Sequence, residues 1–437
     1  MSTERKLFGT DGVRGEAGTF LTAELALALG RAATASLEAP RPQVLIVRDT
    51  RESGPMLEAS LAAGVAEAGG DALLGGVLPT PAAAVLVRKL GLDLAVVVSA
   101  SHNPYRDNGI KFFSANGTKL DDATEAGIEA LLDAPFEPAA PGHVRELSGG
   151  DEDYLRALEA AFPLDLSGVK VALDCANGAT YRVAPAIFER LGAEVVAVGV
   201  EPDGRNINDG CGSTHLDHLA GHIASTGATV GFAFDGDGDR VLAVDGGGRS
   251  HDGDELIALL ARGQAARGEL GGGVAVTVMS NYGFHQAMEG EEIEVAVTKV
   301  GDRYVLDELR ERGWALGGEQ SGHIINLRFA ATGDGIAAAL MTMQELGASD
   351  LAAVEAMEKL PQTLVNVEVA DREAIAGAEA VWEAVELEGA ELEGRGRVLL
   401  RPSGTEPLVR VMAEAPSAEE ADAVCKRLAD LVRRELG

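Results

Sequence analysis

Short apolar runs bounded by polar residues recur along the chain, and most are too short and too β-branched to be helices. Leu94–Val98 is one, followed at once by Ser99-Ala-Ser-His-Asn-Pro104. The pattern predicts a buried strand that delivers Ser101 to the rim of a sheet. Gln43–Val47 reads as another strand. Ser53 is then expected to cap a helix whose apolar face carries Met56, Leu57, Leu61, Val65 and Ala66. Thr80-Pro81 opens a further helix, with proline in its first turn. This alternation predicts a mostly parallel, helix-covered sheet, and such open sheets place ligands beyond the carboxyl ends of their strands.

The rhythm stops at the Pro/Gly/Ala stretch 135–142, which reads as a linker or long loop. It restarts with strands at Val169–Asp174, Glu194–Val200, Thr229–Phe234 and Val241–Val244, and again after Asp252 with strands at Val274–Met279 and Ile293–Thr298. The last segment changes character. Strands at Leu364–Val369, Arg397–Leu400 and Leu408–Met412, then an amphipathic helix at Ala418–Glu435, predict a smaller α+β domain. The expected organisation is three similar mixed-sheet α/β domains (1–154, 155–252 and 253–362) and an α+β domain (363–437) around a central cleft. No fixed-period repeat links the three rounds in sequence.

Composition narrows the function. With 37 Lys and Arg against 69 Asp and Glu, the formal net charge is −32. Such a surface repels nucleic acid and anionic membranes, so neither is an expected partner. A phosphorylated ligand would need a local cationic pocket, felt within a Debye length of roughly 8 Å. No apolar run reaches the ~18 residues of a membrane span. Met1-Ser-Thr-Glu-Arg-Lys leads into no apolar signal core, and Cys175, Cys211 and Cys425 lack metal-ligand spacing. A cytoplasmic location is expected, and the sequence leaves room for a dimer.

Four polar loops carry the chemistry. The Ser101 loop offers a hydroxyl outside any nucleophile-elbow pattern, which disfavours acyl hydrolysis, with His102 and Lys111 nearby. Phe234-Asp-Gly-Asp-Gly-Asp-Arg240 sets Asp235, Asp237 and Asp239 between two apolar strands. Three carboxylates so close call for a divalent cation, and hard oxygen ligands suit Mg²⁺ or Ca²⁺. An EF-hand reading fails, because its glycine position is Arg240 and its closing glutamate position is Gly246. Gly317-Gly-Glu-Gln-Ser-Gly-His323 offers Glu319, Ser321 and His323 to the hydroxyls of a sugar. Arg401-Pro-Ser-Gly-Thr-Glu-Pro407, with Arg410 beyond, combines two guanidinium groups with the amides and hydroxyls of Ser403, Gly404 and Thr405, a combination that holds phosphate. Together these are the parts for moving a phosphoryl group on a phosphosugar, a reaction that needs mainly positioning and charge stabilisation.

At these residues the chain resembles the α-D-phosphohexomutase family along its whole length. Phe8-Gly-Thr-Asp-Gly-Val-Arg-Gly15, Asn206–His215, Lys299-Val-Gly-Asp-Arg-Tyr-Val305 and Gln320 are similar to the branch acting on glucosamine phosphates. The resemblance implies an isomerase that interconverts glucosamine 6-phosphate and glucosamine 1-phosphate through a phosphoserine at Ser101 and a 1,6-bisphosphate intermediate, supplying UDP-N-acetylglucosamine synthesis. It implies Mg²⁺ on phosphorylated Ser101 and the three aspartates, and glucosamine 1,6-bisphosphate (or another hexose bisphosphate) as activator. Arg401, Ser403, Gly404, Thr405 and Arg410 would grip the non-reacting phosphate, and Glu319, Ser321 and His323 the sugar. Arg14, His102, Lys111, Arg240 and His323 are candidates for the reacting centre. The alternatives are the same chemistry on glucose or mannose phosphates, a non-catalytic phosphosugar sensor, or a Mg²⁺-dependent phosphatase.

Overall fold

The computed structural model describes residues 7–9, 11–132, 134–135, 140–347, 349–403 and 406–437. They form two compact units. One comprises Met1–Met279 and Ile293–Glu355, the other Ser280–Glu292 and Ala356–Gly437.

Three sheets build the first unit. The first has six strands in the order Val13–Glu16, Asp107–Ser114, Leu94–Val98, Gln43–Arg48, Asp71–Val77, Val144–Glu146. The second has five, in the order Ser250–His251, Val241–Asp245, Val230–Phe234, Lys170–Asp174, Glu194–Val198. The third has four, Glu294–Thr298, Gly273–Thr277, Leu316–Gly318 and Ile324–Asn326. The central strands are parallel and apolar, as burial on both faces requires: all five residues of Leu94–Val98, Val230–Phe234 and Gly273–Thr277 are buried. With few aromatic residues, the core beneath the first sheet is filled by small and aliphatic side chains, among them Leu29, Val44, Ile46, Leu57, Leu61 and Val96.

Each sheet departs from parallel order at the same topological place. A parallel strand turns back into an antiparallel neighbour at Leu94–Val98/Asp107–Ser114, at Val230–Phe234/Val241–Asp245 and at Leu316–Gly318/Ile324–Asn326. The three connections are the Ser101 loop, the aspartate loop and the Glu319 loop. The likeness expected among the three rounds is therefore one of topology.

Two local expectations differ. Ser53 precedes the helix Gly54–Glu67, but its side chain does not cap it; its Oγ accepts from Asn108 Nδ2 at 2.9 Å instead. Pro55 in the first turn removes one amide that a cap would serve. Met56, expected on the buried face of that helix, is exposed. Of the expected linker at 135–142, residues 136–139 lie outside the described residues.

The second unit is an antiparallel sheet in the order Gln362–Glu368, Leu408–Glu414, Arg397–Pro402, packed against the helix Ala418–Leu436. The helix Tyr282–Gly290 belongs here too. Buried Glu414 accepts the Tyr282 N–H at 2.7 Å and pairs with Arg397 at 2.8 Å.

Asp334 caps the helix Gly335–Leu346 and accepts the Tyr154 hydroxyl at 2.8 Å. Burial pushes its carboxyl up to about 6, against the amides and the phenol that favour the ionised form. The folded chain therefore keeps a proton that the unfolded chain releases near pH 4 (about 3.9 for a free Asp). Its contribution to stability is full below that value, is lost as the pH rises towards 6, and is flat above. Asp334→Asn keeps the Ala337 N–H on its oxygen and lets Nδ2 donate to the Tyr154 hydroxyl, and it should remove this slope from the urea midpoint between about pH 4 and 6. An identical slope in variant and wild type would contradict the assignment.

Candidate active site

Ser101 sits at the tip of its loop with φ +53°, a left-handed conformation that costs a non-glycine residue on the order of 1 kcal/mol or more. Its surroundings enforce it. Fully buried Arg51 donates to the carbonyl oxygens of Ser101 (3.1 Å), Asn103 (2.6 Å) and Asp107 (2.7 Å). Asn208 Nδ2 donates to the first two at 3.0 and 3.2 Å. Arg51 is held in turn by Asp49 at 3.0 Å, and Asp49 also accepts the Ser99 hydroxyl at 2.6 Å. Burial raises the Asp49 carboxyl despite Arg51 beside it. The Ser101 hydroxyl donates to Asp235 Oδ2, and its Oγ lies 3.4 Å from His102 Nδ1.

The aspartate loop meets the serine loop through Gly236. A Cβ there would lie 2.6 Å from the Ser101 carbonyl oxygen and 2.8 Å from Asn208 Nδ2, so only glycine lets the two backbones touch. Asp235, Asp237 and Asp239 are all buried, and one oxygen of each lies within 4.8 Å of the others. Burial and its two neighbours push the Asp235 carboxyl well above its ordinary value. Asp237 Oδ2 accepts from Thr80 (2.7 Å) and Lys111 (2.9 Å). Burial opposes ionisation of Asp239, but His323, Lys111 and Arg240 hold it low. Asp237 Oδ1 and Asp239 Oδ1 are buried with no hydrogen-bond partner. Unspent anionic oxygens on a carboxylate-only donor set fit a hard divalent cation such as Mg²⁺.

Beside the triad lies a cavity of about 250 Å³, lined by Arg14, Arg240, Glu319, His323 and Asp302 among others. Arg14 and Arg240 each keep a buried Nε with no acceptor, which an anion would satisfy. Arg240 Nη1 lies 3.4 Å from His102 Nδ1, and burial together with Arg240 and Arg14 lowers the His102 pKa, keeping it neutral. His323 Nε2 accepts the Gly333 N–H at 3.0 Å, which leaves its proton on Nδ1, 3.7 Å from Asp239. Burial opposes a second proton and the carboxylates Asp239 and Asp302 favour it, with the balance above the ordinary value. Taking that proton would displace the Gly333 amide. Glu319 accepts the Gly301 N–H at 3.1 Å, whereas Ser321 is exposed on the turn between Glu319 and His323.

Asp11, Lys119 and Asp302 escaped sequence reasoning. Asp11 gathers Arg14, Lys111 (3.2 Å) and Lys119, and Lys119 bridges to Asp302 at 2.6 Å. Burial works against the Asp11 carboxylate, but those three cations hold it well below the usual range. Asp11 lies in the Phe8–Gly15 motif and Asp302 in Lys299–Val305, which marks both in the sequence; Lys119 lies in no motif.

In the second unit, Arg401 and Arg410 are direct cross-strand partners. Burial and the neighbouring Arg410 lower the Arg401 pKa. Like charges placed opposite one another are unfavourable without an anion between them. Arg410 Nε is buried and unpartnered, and Ser403 is buried at the hairpin. Gly404 and Thr405 lie outside the described residues.

The chain matches all four domains of the phosphoglucomutase/phosphomannomutase family: the alpha/beta/alpha domains I, II and III over residues 5–138, 152–248 and 252–364, and the C-terminal domain over 364–431. The chain belongs to this family. It is 52% identical over 432 residues to a phosphoglucosamine mutase of Moorella thermoacetica, covering 95% of this chain and 97% of that protein. A phosphoglucosamine mutase of Heliobacterium modesticaldum is 50% identical, with 98% and 99% covered. The crystal structure of a phosphoglucomutase/phosphomannomutase family protein from Burkholderia thailandensis superposes with a TM-score of 0.85 at 26% identity, covering 98% of this chain and 97% of that one. No helix among the described residues is long and apolar enough to cross a membrane.

If the triad is a cation site, Mg²⁺ should bind the folded chain and raise its melting temperature by mass action. Asp237→Asn should lose most of that rise in a thermal-shift titration against EDTA. A wild type that does not respond to Mg²⁺ would remove the triad from consideration.

Proposed function

We propose that this chain interconverts glucosamine 6-phosphate and glucosamine 1-phosphate, with phosphorylated Ser101 as donor and acceptor of the phosphoryl group. The carrying observation is the buried contact of the Ser101 hydroxyl with Asp235, inside a triad that retains unpartnered oxygens. The sugar specificity is supported by relatives about half identical over almost the whole chain.

Phosphorylation would add roughly −1.5 to −2 charge at pH 7 to a site already crowded with carboxylates. Asp235, Asp237 and Asp239 would hold the divalent cation, which supplies the positive charge that makes the phosphoserine tolerable beside them. Lys111 and Arg240 supply the fixed cations. Burial lowers the affinity of Lys111 for its proton, but Asp11 and Asp237 more than restore it, so Lys111 stays charged and acts as an electrostatic stabiliser.

In the forward half-reaction, O1 of glucosamine 6-phosphate attacks the phosphorus as the Oγ–P bond breaks. O1 loses its proton to a nearby base and the serine oxygen takes one up, giving the 1,6-bisphosphate and free Ser101. Neutral His102, whose Nδ1 lies 3.4 Å from Oγ and also faces Arg240, is placed to take the Ser101 proton when the hydroxyl attacks in the return half-reaction. The bisphosphate then presents its 6-phosphoryl group, Ser101 attacks it, and glucosamine 1-phosphate leaves. Arg14 and Arg240 would hold the transferring group, and Glu319, Ser321 and His323 the sugar. Arg401, Ser403, Gly404, Thr405 and Arg410 would hold the other phosphate in either orientation. Hexose 1,6-bisphosphate would restore an enzyme that has lost its phosphoryl group.

Ser101→Ala should lower mutase turnover by on the order of 10³-fold or more while leaving the fold intact by circular dichroism. Intact mass of the wild type, with and without phosphatase treatment, should differ by one phosphoryl group, and tryptic mapping should put it on Ser101. Near-normal turnover in the variant, or steady release of inorganic phosphate at the isomerisation rate, would overturn the proposal.

A further inference from the structure

One stretch singled out in the sequence, Lys299–Val305, has no task in the reaction as described. Its Asp302 lies on the cavity wall, in the first turn of the helix Asp302–Arg312, with its side chain 19% exposed. Oδ1 accepts the Arg303 N–H at 2.9 Å, and Oδ2 accepts Lys119 Nζ at 2.6 Å. Lys119 is shared, because it also binds Asp11, and Asp11 has two further cations in Arg14 and Lys111. His323 Nε2, 3.6 Å from Oδ2, accepts the Gly333 N–H, and so long as it does, it brings no proton to Asp302. Asp302 is thus a cavity carboxylate left with part of one ammonium. A carboxylate oxygen has two acceptor positions, so Oδ2 has room for a second donor. The cavity as a whole is lined by five carboxylates and four permanent cations.

A residual negative charge on that wall favours a cationic ligand group over a neutral one. Glucosamine phosphates differ from glucose phosphates at C2, where an amino group, protonated around neutral pH, replaces a hydroxyl. We propose that Asp302 is the specificity-determining residue for the amino sugar. Its carboxylate accepts from the C2 ammonium at Oδ2, the oxygen for which Lys119 competes. This rests on the mutase reading above. An ammonium makes a charge-assisted hydrogen bond where a hydroxyl makes a weaker one, a difference on the order of tenfold in kcat/KM.

The test is kcat/KM for glucosamine 6-phosphate and for glucose 6-phosphate, measured on the full chain with Mg²⁺. The wild type should prefer the amino sugar. Asp302→Asn should cut that preference roughly tenfold, by loss on the amino sugar alone. Lys119→Met removes the competing ammonium and leaves the carboxylate, so its preference should equal or exceed that of the wild type. A preference unchanged in Asp302→Asn, an equal loss on both sugars, or a fall in Lys119→Met would overturn the role of Asp302 and leave the mutase reading standing. A wild type that does not turn over glucosamine 6-phosphate would overturn that reading itself.

Discussion

Three buried carboxylates within reach of one ligand, with a serine hydroxyl donating to the first of them, are the constraint around which this unit is arranged. Two unit charges about 4 Å apart interact by roughly 4 kcal/mol at the effective dielectric of a protein surface, and burial adds a desolvation cost. The chain offsets that repulsion with Lys111 beneath the triad, Arg240 and His323 beside it, and the Thr80 hydroxyl on Asp237. Two oxygens still lack partners. Asp49, Arg51 and Asn208 exist in this arrangement to hold Ser101 in an unfavourable backbone conformation at that spot. Strain of this kind persists only where its surroundings over-determine it.

Topology explains how one site draws on separate sheets. A loop that joins a parallel strand to an antiparallel neighbour leaves the sheet at the strand's carboxyl end, where ligands of open sheets bind. The Ser101, aspartate and Glu319 loops all occupy that position. Lys119, between Asp11 and Asp302, ties the first-sheet side of the cavity to the third.

The parts legible in the sequence were those with a local signature. Leu94–Val98 is a strand with the predicted bounds, because a β-branched apolar run ending in polar residues has few other fates. Asp235, Asp237 and Asp239 were legible as a cluster because five residues hold all three. Arg51 and Lys119 were not, and Asn208 was marked only by lying in the Asn206–His215 motif, because their roles lie in contacts more than 50 residues away or on other sheets: Arg51 to Asn103, Asn208 to Ser101, Lys119 to Asp302. The Ser53 cap failed for a related reason, since Asn108, distant in sequence, took its hydroxyl. The negative chain charge is reconciled with a phosphosugar ligand by placement. Arg14 and Arg240 keep Nε atoms without a hydrogen-bond acceptor at the cavity, and Arg401 faces Arg410 across the C-terminal hairpin.

The central claim is that a cation held by the triad and a phosphoryl group on Ser101 share one site. Mn²⁺ substituted into the phosphorylated protein, read by ³¹P electron–nuclear double resonance, measures that directly. The account predicts a strong hyperfine coupling between the metal and the phosphoserine phosphorus, abolished by phosphatase. Tightly bound Mn²⁺ with no phosphorus coupling in protein that is phosphorylated at Ser101 would contradict it.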